Sequence, residues 1–288
     1  MRRRALLLLS VIVAALVVAS GTALAVNKTC PPGSTEQNPC LGTKKTKKAS
    51  GNDTLRGTSG PDYIKALSGN DKITAGAGND TTDGGGGNDT YYYGNGWGID
   101  TLIDASGTDT LDFAAVQGSN PYPFDTITVD FSTFDPSANY ASGPNGERIN
   151  ISLGTKIEKI RGSSGYDGIY TAIGPNTLQP GPGTGGAYLE DYGGYADGYI
   201  SWPVSNDTYS GFSASGFGPV TVYDNGGTAD KLILSFAKTD ADIVKDGDNL
   251  IITLKTSGTD SITIDGQLTQ KYRIETIQFT DGLCKICT

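Results

Sequence analysis

Ser68-Gly69-Asn70-Asp71-Lys72-Ile73, then Ala77-Gly78-Asn79-Asp80-Thr81-Thr82, then Gly86-Gly87-Asn88-Asp89-Thr90-Tyr91: this stretch decides how the chain is read. An aspartate stands two residues after a glycine and two before a mostly apolar position, and the unit returns every nine residues. It starts upstream with Gly51/Asp53 and Gly60/Asp62. After a two-residue slip it continues as Gly98/Asp100 and Gly107/Asp109. The apolar positions are Leu55, Ile64, Ile73, Tyr91, Leu102 and Leu111, with Thr82 the exception. A short fixed period predicts a solenoid whose coils stack around one continuous core.

Nine residues make one strand and one turn. Two units therefore close a coil, and each turn stacks on the turn eighteen residues away. One edge then carries Asp53, Asp71, Asp89 and Asp109, and the other Asp62, Asp80 and Asp100. Stacked strands lie about 4.7–4.9 Å apart, so each carboxylate row repels itself unless a cation neutralises it. Gly51, Gly60, Gly69, Gly78, Gly87 and Gly107 supply turns too tight for a Cβ, and such turns aim carbonyl oxygens inward. An all-oxygen donor set suits Ca2+, which takes about 6–8 oxygens at about 2.3–2.6 Å. The chain has no histidine, the nitrogen ligand that zinc and copper favour.

On these residues the array resembles the haemolysin-type (RTX) calcium-binding repeat, G-G-x-G-x-D-x-U-x. The likeness is strong over 49–113 and patchy over 157–232. In the patchy part Gly165-Tyr166-Asp167-Gly168-Ile169 fits the repeat and adds Asp167 as a candidate ligand, while Asn176 replaces the next aspartate. Ala66 and Leu67 stand where the family has glycines in the Asp71 turn. Residues 232–282 resemble the haemolysin-type calcium-binding related domain, through Asp248-Asn249-Leu250, Asp260-Ser261-Ile262-Thr263-Ile264 and Tyr272 to Gly282. The resemblance implies an all-β fold, a parallel β-roll that orders on binding Ca2+, with a β-rich C-terminal region.

The rest of the chain is organised around that array. Residues 1–25 read as a cleaved signal helix: Arg2-Arg3-Arg4, an apolar run over 5–19, and Ala23-Leu24-Ala25 as the cleavage site. They predict a secreted, extracellular protein with no later membrane span. Residues 26–48 read as a polar leader and solvated arm, 114–160 as a β-strand connector, 161–231 as a degenerate second array and 232–288 as the C-terminal β-rich region. The passage from Asn88-Asp89-Thr90-Tyr91 through Trp97 and Asp104 to Asp109-Thr110-Leu111 recurs. Its second copy runs from Asn206-Asp207-Thr208-Tyr209 through Phe217 and Asp224 to Asp230-Lys231-Leu232. Cys30, Cys40, Cys284 and Cys287 lie near the two ends; three pairings are possible, and terminal disulfide staples are the expectation for an exported chain.

Composition narrows the function. A formal charge of −9, more acidic once the signal arginines are lost, disfavours nucleic acid and anionic lipid and favours cations. Without histidine there is no H-E-x-x-H metalloprotease or Ser-His-Asp hydrolase, and Glu147, Glu158, Glu190 and Glu275 stand isolated. The expectation is a calcium-binding, non-catalytic structural or adhesive module. The alternative is a carbohydrate-binding or carbohydrate-active protein that presents Tyr188, Tyr192, Tyr195, Tyr199, Tyr209 and Trp202 to an extracellular polysaccharide.

Overall fold

The computed structural model describes residues 27–42, 51–118, 126–131, 140–171, 177–181, 187–191, 206–214, 217–224, 229–268 and 274–284. The signal segment lies outside them, as do Asn176, Tyr192, Tyr195, Tyr199 and Trp202. The first strands are β1 (Asn27–Thr29), β2 (Cys40–Leu41), β3 (Thr54–Arg56), β4 (Tyr63–Lys65), β5 (Lys72–Thr74), β6 (Thr81–Asp83), β7 (Thr90–Gly94), β8 (Ile99–Ile103) and β9 (Thr110–Ala115). Next come β10 (Ile127–Phe131), β11 (Tyr140–Ser142), β12 (Arg148–Ile151), β13 (Lys159–Arg161), β14 (Asp167–Thr171), β15 (Thr177–Gln179), β16 (Ala187–Asp191) and β17 (Thr208–Ser213). The last are β18 (Pro219–Asp224), β19 (Lys231–Ser235), β20 (Ala241–Asp246), β21 (Asn249–Leu254), β22 (Ser261–Ile264), β23 (Thr276–Phe279) and β24 (Gly282–Cys284).

Alternate strands go to opposite sheets. One sheet runs β1-β3-β5-β7-β9-β13-β15-β17-β19-β23-β24, the other β2-β4-β6-β8-β12-β11-β10-β14-β16-β18-β22-β21-β20. Within the array the pairs are parallel and in the register that the period predicts. Thr54 stands beside Lys72, Lys72 beside Thr90, and Thr90 beside Thr110 across the two-residue slip. The middle residue of each short strand points inward. Leu55, Ile73, Tyr91, Leu111, Ile160, Leu178, Tyr209, Leu232 and Ile277 line one wall, each no more than 1% exposed. Ile64, Thr82, Leu102 and Ile151 face them from the other sheet.

Residues 27–42 are not a solvated arm. Strand β1 pairs with β3 and β2 with β4, so they form the first coil, closed by the Cys30–Cys40 disulfide. The paired strand edges they supply would otherwise be an open template for other chains. Lys28, Lys44, Lys45, Lys47 and Lys48 had suggested solvent; all but Lys28 lie outside the described residues, and within 27–42 Cys30 and Cys40 are buried. Cys284 is disulfide-bonded as well.

The 114–160 segment widens one sheet. Strands β10, β11 and β12 form an antiparallel meander inserted between β8 and β14, while β9 pairs directly with β13 on the opposite wall. Parallel stacking resumes beyond it, so the second array continues the same two sheets. The C-terminal region closes them with the antiparallel run β20-β21-β22 and the β23–β24 pair. The sequence had signalled β21, β22 and β23; β20 was missed because Ala241–Asp246 places charges and Val244 on an exposed strand face.

The repeated passage folds the same way twice. Trp97 packs against Tyr93 and Phe113 at ring distances of 5.6 and 5.8 Å. Phe217 takes that place in the second copy, 5.5 Å from Phe212 and 6.2 Å from Phe236. Tyr209 is fully buried, and Tyr188 is half-buried, 5.8 Å from Tyr170. These tyrosines serve packing.

Candidate metal centre

The turns between strands stack as closely as the strands do. A Cβ on Gly69 would lie 2.2 Å from the Gly51 carbonyl oxygen, and one on Gly87 would lie 1.7 Å from that of Gly69. Both glycines also have positive φ, at 141° and 128°. Only glycine meets both demands.

Each aspartate reaches back to the coil before it. The Asp53 N–H donates to Asp71 Oδ1 at 2.6 Å, Asp71 to Asp89 at 2.7 Å, and Asp89 to Asp109 at 2.8 Å. On the other edge Asp62 donates to Asp80 at 2.8 Å and Asp80 to Asp100 at 2.9 Å. The asparagines form a second ladder in the opposite sense. Asn52 Oδ1 accepts from the Asn70 N–H, Asn70 from Asn88, and Asn88 from Thr108, at 2.8, 2.9 and 3.0 Å. Where a repeat has Asn-Asp, the pair thus satisfies turn amides on both sides, which explains an asparagine row that spacing alone left without a role.

One oxygen of each aspartate is used in this way; the other is not. Oδ2 of Asp71, Asp80, Asp89 and Asp100 is buried with no hydrogen-bond partner. Such groups are rare in native proteins and mark places where a water or an ion binds. Burial pushes these carboxyls up, Asp71 to about 6, Asp80 and Asp89 to about 7, and Asp100 to about 8, and the facing aspartates add to the rise. When ionised, these carboxylates repel their neighbours along each row and call for a bound cation.

The other sequence-predicted residues sit differently. Asp62 lies at the start of its row, where Ser34 Oγ donates to Oδ1 and the Thr58 N–H to Oδ2, both near 2.7 Å. Asp53 Oδ2 faces Gly42 of the first coil. Asp109 accepts from Asp89, and its own N–H donates to Glu158 Oε2 at 2.9 Å. Asp167 lies in another part of the fold, where the Ser163 N–H donates to Oδ2 at 2.6 Å and the Ser163 hydroxyl to Oδ1. The second copy repeats the end of the row: Asp207 donates to Asp230, and Asp230 to Glu275 Oε2 at 2.8 Å. Asp230 Oδ2 is again buried and unpartnered.

Sequence reasoning missed Asp104, Glu158 and Glu275 at these row ends. The internal duplication was the signal that could have found them, since Asp104 corresponds to Asp224 and both glutamates directly follow an isoleucine.

The RTX calcium-binding nonapeptide repeat model matches residues 49–82 and 68–96, and the haemolysin-type calcium-binding protein related domain matches 249–283. The chain carries RTX repeats, and such repeats bind Ca2+ and build a β-roll. No curated protein matches the chain. The residues present fit the ion: oxygen donors only, one unpaired carboxylate oxygen in each of four turns, and a glycine backbone that admits nothing bulkier.

Proposed function

We propose that calcium is held between the stacked turns by Asp53, Asp71, Asp89 and Asp109 on one edge and by Asp62, Asp80 and Asp100 on the other. Gly51, Gly60, Gly69, Gly78, Gly87 and Gly107 keep those turns closely stacked. Asp167 belongs to the same proposal as a lesser site, since its oxygens already accept hydrogen bonds from Ser163. The row of buried, unpartnered Oδ2 atoms carries this reading. Bound calcium supplies charge neutralisation between coils. The protein's own side chains bind the ion, exclude water and hold the register.

In this reading the protein is exported through its N-terminal signal and orders outside the cell, where calcium is abundant. There it acts as a non-catalytic structural or adhesive module. The ordered solenoid gives it a rigid, acidic surface, and calcium makes that surface conditional. Calcium-dependent retention on the surface of the producing cell, reversed by chelator, is the expected result of a fractionation experiment. Free diffusion in both conditions would leave calcium binding standing and remove the adhesive role.

A further inference from the structure

The last gap of the Asp71 edge differs from the others. Asp104 occupies the first position of the turn 104–109, where the turn 84–89 stacked on it has Gly84. Its side chain enters the space between the two turns. Carboxylate oxygens of Asp89, Asp104 and Asp109 lie within 4.8 Å of one another, and all three residues are buried. Among the described residues this is the one place where three such groups converge.

Three carboxylates alone do not make a site, but two further features point to a ligand. Asp89 Oδ2 has no partner, its residue is 1% exposed, and it faces the same space as Asp104 Oδ2. A Cβ built on Gly84 would sit 2.6 Å from both of those oxygens and 2.0 Å from the Tyr91 hydroxyl, so the chain keeps this position bare. Asp104 is also held in place. The Tyr91 hydroxyl donates to Oδ2 at 2.5 Å and the Ser106 N–H to Oδ1 at 3.1 Å, while the Asp104 N–H donates to Thr155 Oγ1 at 2.9 Å.

We propose that Asp104 makes the gap between turns 84–89 and 104–109 a three-carboxylate calcium site, the tightest on the array and the first to fill. This rests on the calcium reading above and adds an order of filling to it. Oxygen-ligated calcium sites span several decades of affinity according to ligand charge and rigidity. Here the third charge comes from Asp104 and the rigidity from Tyr91. The second copy keeps the pair, with Tyr209 donating to Asp224 at 3.1 Å, but does not gather its aspartates into such a cluster. Filling would then start beside the meander and spread toward the N-terminal coils.

The test is calcium titration of the full exported chain against a chromophoric chelator. The wild-type protein should show one tight ion before the remainder. Asp104→Asn should weaken that first ion by roughly tenfold or more and leave the weaker ions in place. Tyr91→Phe, which preserves packing and removes the hydroxyl, should weaken it by about tenfold, as loss of a ligand-orienting partner does. A first ion unchanged in Asp104→Asn would overturn the proposal. Should that variant fail to fold in saturating calcium, Tyr91→Phe decides: an unchanged first affinity overturns the proposal, a weakened one supports it. A wild-type chain that binds no calcium would instead overturn the calcium reading on which it rests.

Discussion

In chelator at neutral pH the chain should lose most of its β structure, and calcium should restore it where magnesium does not. The cause lies in how little each coil buries. The coil from Ala66 to Asp83 brings Ile73, Thr82 and two alanines to the core, while ordering its backbone costs about 1–2 kcal/mol per residue. It also buries Oδ2 of Asp71 and Asp80 without partners, and a buried polar group left unsatisfied costs about 1–3 kcal/mol, more when charged. Metal binding of this kind is folding free energy. Magnesium demands a stricter octahedron and gives up its waters reluctantly. Far-ultraviolet circular dichroism in chelator, in calcium and in magnesium reads the effect. Identical spectra in chelator and in calcium would defeat the prediction.

Acid should order the calcium-free protein. An aspartate in the unfolded chain titrates near 3.9, whereas Asp71, Asp80, Asp89 and Asp100 in the calcium-free fold titrate at about 6, 7, 7 and 8. Asp104, at about 8, and Asp230, at about 7, are raised the same way, burial being the main cause. Between those limits the folded state binds more protons than the unfolded one. The stability these groups contribute is therefore fully present below about pH 4 and is lost as pH rises through 6 to 8. Glu147 and Asp260, lowered by amide and hydroxyl donors, run the other way but are only two among the described residues. Calcium reverses the dependence, because it needs the ionised carboxylates and competes with protons for them. Thermal unfolding should give a higher midpoint at pH 5 than at pH 8 without calcium, and the opposite order in saturating calcium. A calcium-free protein more stable at pH 8 would contradict the assignment of these groups.

The fold was legible where one rule repeats. Gly-x-Asp-x-apolar on a nine-residue period determined the coil, its eighteen-residue register and the two aspartate edges, because parallel stacking leaves no other way to bury Leu55, Ile73 and Tyr91 together. It was illegible where the period breaks. The meander β10-β11-β12 carries ordinary strand alternation, which does not say that β9 and β13 meet across it. Residues 27–42 contain no repeat unit, so nothing in their sequence announced that β1 and β2 would continue the sheets. At the site the aspartates were visible as a row. Asp104, Glu158 and Glu275 were not, since each acts from outside the Gly-x-Asp pattern on a neighbour 49 residues away or fewer. The asparagine ladder was hidden for a different reason: its work is done on backbone amides, which leave no mark in the sequence.

The central claim is that calcium sits between turns eighteen residues apart, and counting bound ions in two single variants tests it most directly. Asp71 has an aspartate turn on each side, at Asp53 and at Asp89. Asp53 has one at Asp71, and on its other side the first coil, where Gly42 faces it. Isothermal titration of Asp71→Ala should therefore show more calcium lost than titration of Asp53→Ala. Equal losses from the two variants would contradict the stacked-turn sites.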